Sequence, residues 1–101
     1  MKKIMLCCSA GMSTSMLVKK MLVEAGNRGL AVDIKAFGAV EFDEQMPKYQ
    51  VVLLGPQIKY MQQELAAKAA PYGIKVQAID MMDYGMQRGD KVLDFALSMI
   101  D

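Results

Sequence analysis

Histidine and tryptophan are both missing from the 101 residues. Without histidine the chain has neither the commonest general base near neutral pH nor the commonest metal ligand, so any histidine chemistry must come from a partner. Cysteine occurs only twice, as the neighbours Cys7 and Cys8. Adjacent Cα atoms lie about 3.8 Å apart across a trans peptide, short of the usual disulfide separation of about 4.4–6.8 Å, so both read as thiols. No residues cluster at metal-ligand spacing, and neither a metal nor a cofactor is expected. An excess of one charge is also lacking: 12 basic residues face 11 acidic ones, a net +1. That balance supplies no broad positive surface for a phosphate backbone, so no nucleic acid is expected as a partner. The longest apolar run, Ile4 to Cys8, is far shorter than the roughly 18 residues of a spanning helix and the roughly 7–15 of a signal-peptide core. The expectation is a cytoplasmic chain with no direct membrane insertion.

What is present is a core. Apolar residues make up 53% and charged residues 23%, enough hydrophobic material to fold without staples. With no linker, repeat or low-complexity tract, residues 1–101 are expected to form a single domain. Short apolar runs alternate with helical patterns, the mark of βα units on a parallel sheet. Lys3 to Cys7 reads as the first strand. Leu17, Val18, Met21, Leu22 and Ala25 recur at helical spacing, with Gly26 and Gly29 as the stop. Ala31 to Phe37 alternates as a half-wet strand, and a weak helical stretch from Val40 to Met46 ends at Pro47. Val51 to Leu54 is continuous and apolar, as in a strand buried on both faces. Ile58, Met61, Leu65 and Ala69 stripe the next helix, Ile74 to Ala78 forms another edge-like strand, and Asp90 is placed as N-cap of the last helix, which buries Val92, Leu93, Ala96, Leu97 and Ile100.

With the first and third strands central, right-handed winding predicts an α/β fold: a four-stranded parallel open sheet of order 2-1-3-4 with helices on both faces. Ligands bind beyond the strand ends where such winding reverses. That rule selects the loops after Cys7 and after Leu54, hence Cys8 to Ser13 and Gly55, Pro56 and Gln57.

The segment Cys8-Ser9-Ala10-Gly11-Met12-Ser13-Thr14-Ser15 joins a strand to a helix. A helix N-terminus presents unpaired N–H groups and the positive dipole end, which favour a thiolate or a phosphate. Cysteine there is expected to have a lowered pKa and to be a competent nucleophile. Gly11 can take positive φ and turn successive N–H groups inward as an anion nest. Ser9, Ser13, Thr14 and Ser15 offer hydroxyls, one of which is expected to cap the helix or serve the turn. A small-residue turn holding a buried cysteine is also ordinary in α/β domains, so these residues alone leave the reactivity of Cys8 open. Cys7 points to the opposite face and is assigned to the core. Cysteine phosphatases similar to the low-molecular-weight tyrosine phosphatases have Cys-x5-Arg-Ser at this place, with the arginine clamping the phosphoryl group. Here the sixth residue after Cys8 is Thr14, followed by Ser15, and the only arginines are Arg28 and Arg88. Lacking the clamp, the loop can hold a phosphoryl group but loses transition-state stabilisation for hydrolysis.

Together with Leu53 to Ile58, Leu-Leu-Gly-Pro-Gln-Ile, this loop resembles the enzyme IIB component of the phosphoenolpyruvate-dependent sugar phosphotransferase system, lactose/cellobiose/chitobiose type. The resemblance covers essentially the whole chain, including Tyr60-Met61 and Tyr84-Gly85, and implies a phosphoryl-carrier domain of flavodoxin-like shape. It implies that Cys8 takes phosphate from the phosphohistidine of a IIA protein and passes it to a β-linked disaccharide carried by the membrane IIC permease. Backbone N–H groups across Ser9, Ala10, Gly11, Met12, Ser13 and Thr14 would cradle the phosphoryl group, with Gln57 orienting it or meeting a partner. A cysteine-dependent phosphatase and a noncatalytic flavodoxin-like binding module are the rival readings.

Eleven methionines are unusual. Thioethers adapt to several partner surfaces, and Met12 is expected at the rim, while Met21, Met61, Met99 and most others are expected to fill the core. Asp80 fits as an N-cap, and Asp83 and Tyr84 fall at the rim with no catalytic role assigned.

Overall fold

The computed structural model describes residues 1–100. Strand β1 (Lys2–Cys8) leads into helix α1 (Met12–Asn27), then strand β2 (Val32–Gly38). A segment of short turns around α2 (Phe42–Gln45) precedes β3 (Val51–Leu54). A 3₁₀ stretch, Pro56–Met61, opens α3 (Gln62–Ala69), followed by β4 (Lys75–Ala78), α4 (Met81–Gly85) and α5 (Gly89–Ser98). The sheet is wholly parallel in the order β2-β1-β3-β4, as the winding argument predicts.

Alternation along β1 divides the core into two layers. Ile4 and Leu6 pack with Leu17 and Met21 of α1 and with Val92, Leu93 and Ala96 of α5. Met5 and Cys7 face the other way, into Phe42, Met46, Ile58 and Leu65. Helices therefore cover both faces, and Val51 to Leu54 are fully buried between them. The edge strands stay half wet, with Lys35 on β2 and Lys75 and Gln77 on β4 exposed. No helix among the described residues is long and apolar enough to cross a membrane.

Several sequence expectations require correction. Leu22 lies outside the buried stripe of α1, and the stretch expected to be helical from Val40 to Met46 is α-helical only over Phe42–Gln45, after a separate 3₁₀ turn at Ala39–Glu41. Pro47 does not end that segment; it sits inside a further 3₁₀ turn, Met46–Lys48. Asp90 is not the cap of α5. The helix begins at Gly89, and a Cβ on Gly89 would lie 2.7 Å from the Lys20 backbone, so the close crossing of α1 and α5 dictates a glycine start. Asp90 occupies the first turn instead and binds the Arg88 guanidinium at 3.1 and 3.2 Å. Leu97 and Ile100 are only partly buried.

The strand ends are tied across the sheet. Gly55 N–H donates to Cys7 C=O at 2.7 Å, and Ile79 N–H donates to Leu54 C=O at 2.8 Å. These bonds bring the loops after β1, β3 and β4 to one end of the sheet.

Candidate functional site around Cys8

β1 delivers Cys8 as its last residue, and the chain turns through Ser9 and Ala10 to Gly11, which caps α1 in the left-handed region at φ +82°. That turn aims the Gly11 N–H at Cys8 Sγ, 2.9 Å away. One helical turn on, Thr14 Oγ1 lies 3.4 Å from the sulfur and is fully buried, the only buried polar side chain among the described residues. The floor is the end of β2. A Cβ on Gly11 would meet Gly38 N and Phe37 C at 3.1 Å, and one on Gly38 would meet Ser9 O at 3.3 Å. Glu41 fixes this floor by accepting from the Gly38 N–H at 3.0 Å. Gly55 forms the wall: a Cβ there would stand 3.3 Å from Cys8 Cβ and 3.6 Å from Thr14 Cγ2.

Two adjacent thiols thus acquire opposite character. Burial raises the pKa of Cys8, but hydrogen bonds from the Ser13 and Thr14 hydroxyls and from backbone N–H groups outweigh it, leaving the thiol lowered from an ordinary 9.0 to about 7. Cys7 has no such donors; burial first, then the proximity of Cys8 and Glu41, raises it to about 11. Near neutral pH Cys8 is therefore partly thiolate, while Cys7 stays a protonated thiol.

Of the first loop, Ser9, Ala10, Met12 and Ser13 are exposed, while Gly11 and Thr14 turn in to the sulfur. No serine caps α1, since the cap position has positive φ and Gly11 fills it. Ser15 donates to Met12 C=O at 2.7 Å, a local bond within the first turn. The second loop is brought alongside. Gln57 Nε2 stands 3.5 Å from Ser13 Oγ and 3.3 Å from the Tyr84 hydroxyl on α4. Asp80 caps α4 as expected, accepting from Met82 and Asp83 N–H groups at 3.0 and 3.1 Å.

Sequence reasoning did not find Gly38 or Phe37 beneath the loop, nor the contact of Tyr84 with Gln57. Neither arginine is engaged there: Arg28 binds Glu24 and Asp94, and Arg88 binds Asp90. Met12 is 78% exposed at the rim, as expected. The wider assignment of methionine to the core is overturned, because Met1, Met16, Met81, Met82 and Met86 are exposed too. Met21 is fully buried, whereas Met61 and Met99 are only partly so. Among the described residues no three His, Cys, Asp or Glu side chains gather as a metal would require.

Residues 3–95 match the family described as "PTS system, Lactose/Cellobiose specific IIB subunit", where PTS denotes the phosphotransferase system. A relative from Bacillus subtilis (strain 168), the PTS system oligo-beta-mannoside-specific EIIB component, is 47% identical, covering 99% of this chain and 97% of its own. The cellobiose-specific EIIB component of Lactococcus lactis subsp. lactis (strain IL1403) and the galactose-specific one of Lactococcus lactis subsp. cremoris (strain MG1363) are each 44% identical at the same coverage. Among solved structures, the lactose-specific IIB component domain from Streptococcus pneumoniae shares the fold, with a TM-score of 0.90 at 20% identity over 99% of this chain and 98% of that one. The cellobiose-specific phosphotransferase IIB component protein from Borrelia burgdorferi aligns with a TM-score of 0.81 at 35% identity over 98% and 91%.

Proposed function

The chain belongs to the lactose/cellobiose-specific IIB family of the phosphotransferase system, and from that premise we propose that Cys8 is its phosphoryl-carrying residue. The observation that carries the reading is the 2.9 Å approach of the Gly11 N–H to Cys8 Sγ at the start of α1. A donor set that stabilises a thiolate also suits the oxygens of a phosphoryl group bound to that sulfur.

In the first step the Cys8 thiolate attacks phosphorus on the phosphohistidine of a IIA protein. The S–P bond forms, the P–N bond breaks, and the imidazole leaves with the electron pair and takes up a proton. In the second, a hydroxyl of a sugar carried by the IIC permease attacks phosphorus; the S–P bond breaks, Cys8 returns as thiolate, and the hydroxyl proton is released. Backbone N–H groups from Ser9 to Thr14 hold the phosphoryl oxygens in both states, and the Gly55-Pro56-Gln57 loop closes one side. Residues 1–101 act as one carrier domain in the cytoplasm, and the sugar is a β-linked disaccharide.

The same loop shape could serve hydrolysis, and the position of the arginines argues against it. Both are held by carboxylates away from the loop, and the place of a phosphatase arginine is taken by buried Thr14. The distinguishing test is turnover of an aryl phosphate by the protein alone. Background hydrolysis, equal in wild type and Cys8→Ser, is expected; Cys8-dependent steady-state turnover would replace the relay with a phosphatase.

A further inference from the structure

We infer that Tyr84 is a positioning residue of the Cys8 site, acting through Gln57 and Ser13. The inference rests on Cys8 being the working nucleophile of the proposed function. The Gln57 amide NH₂ carries two protons, and its nitrogen lies within reach of two hydroxyl oxygens, Tyr84 OH at 3.3 Å and Ser13 Oγ at 3.5 Å. As acceptors from Gln57, both hydroxyls must turn their own protons elsewhere. The Ser13 proton is then free to turn to the Cys8 sulfur, whose thiolate the Ser13 hydroxyl helps to stabilise. A hydroxyl that accepts one hydrogen bond donates a stronger one, so the amide makes Ser13 a better partner for a thiolate or for a phosphoryl oxygen.

Two features favour this placement of the amide, which is carried on an exposed side chain. Its oxygen lies back over Gly55, where a Cβ would stand 2.6 Å from it, so only glycine leaves room for this side-chain path. Tyr84 is partly buried against the α1–α5 core layer, which fixes the ring and therefore the position of its hydroxyl. Tyr84 thus holds the NH₂ end of Gln57 toward Ser13, although α4 itself makes no bond to the cysteine loop. The nearby ionisable groups are Cys7 on β1 and Glu41 beyond β2, with Asp83 next to Tyr84 along α4. The first turn of α1 contributes no acidic residue. None of these is altered by removing the Tyr84 hydroxyl.

The test measures the Cys8 pKa from the pH dependence of iodoacetamide alkylation in the full chain carrying Cys7→Ser, with Tyr84→Phe, Gln57→Ala, Ser13→Ala and the Tyr84→Phe/Gln57→Ala pair. Phenylalanine keeps the ring packing, so a merely structural role of Tyr84 would leave this titration unmoved. Tyr84→Phe is expected to raise the pKa by about half a unit, slowing alkylation about threefold below the wild-type midpoint. Ser13→Ala should raise it at least as far, and Tyr84→Phe should add nothing once residue 57 is alanine. A Tyr84→Phe titration matching wild type, or a shift of the same size with and without Gln57, overturns the inference. Alkylation needs no phosphoryl donor, so failure of the relay would show separately, as a shifted pKa with no phosphocysteine formed.

Discussion

The Gly11 N–H points at Cys8 Sγ from 2.9 Å, and it does so because Gly11 holds φ at +82° over the end of β2. Alanine at this position would be strained in its backbone and would bring its Cβ to 3.1 Å from Gly38 N and Phe37 C. Gly11→Ala is expected to cost about 1–3 kcal/mol of stability, the range for a left-handed non-glycine residue, and to raise the Cys8 pKa as the donor swings away. Urea unfolding and a thiol titration of the same sample check both effects.

Thr14→Val keeps the shape of a buried side chain and removes its hydroxyl from 3.4 Å of the sulfur. The expected result is a raised Cys8 pKa, by about one unit if this bond has the usual strength of one to a charged group. The rate of phosphoryl acceptance below neutral pH should fall in proportion to the lost thiolate. Valine also leaves the Gly11 carbonyl without its 3.4 Å contact from Thr14, so a small loss of stability accompanies the shift.

The two cysteines impose opposite pH dependences on folding. Cys8 titrates near 7 in the fold against 9.0 ordinarily, so from about pH 7 to about pH 9 the unfolded chain binds the extra proton and stability rises with pH. Cys7 titrates near 11, so from about pH 9 to about pH 11 the folded chain retains the proton and stability falls. Cys8→Ser should remove the rise and Cys7→Ser the fall. Denaturant midpoints measured across this range in the two variants separate the contributions.

Much of this arrangement was legible from alternation and helical spacing. Period two along β1 put Cys7 in one core layer, and the switch in winding between β1 and β3 picked out both loops, although the strand runs one residue beyond its expected end, to Cys8. The contact of Gln57 with Tyr84 was not legible, because it joins the ends of β3 and β4 through side chains that carry no periodic signal. The floor at Gly38 was hidden for the same reason: nothing in Phe37-Gly38 marks it as the surface on which a loop 27 residues earlier will rest. Asp90 looked like a cap by residue type, but the close approach of Gly89 to Lys20 decided where α5 begins. The exposed methionines of α4 misled because thioether residues suit cores and surfaces alike.

Gly55→Ala tests the wall between the two loops. Its Cβ would push Gln57 Oε1 from 2.6 Å and press Cys8 Cβ at 3.3 Å. Because the exposed Gln57 side chain can swing away, the stability cost is expected to stay within about 1 kcal/mol, while the Gln57 contact to Ser13 is lost. Slower alkylation of Cys8 in a folded variant, read beside its circular dichroism, is the checking measurement.

The most direct test of the relay is intact mass spectrometry of the chain after incubation with phosphoenolpyruvate, the general phosphotransferase proteins and a IIA protein from the same system. Wild type and Cys7→Ser should each gain one phosphoryl group, and Cys8→Ser should gain none. A phosphoryl group retained by Cys8→Ser, or none on wild type while the IIA protein is phosphorylated, would contradict the assignment of Cys8 as the carrier.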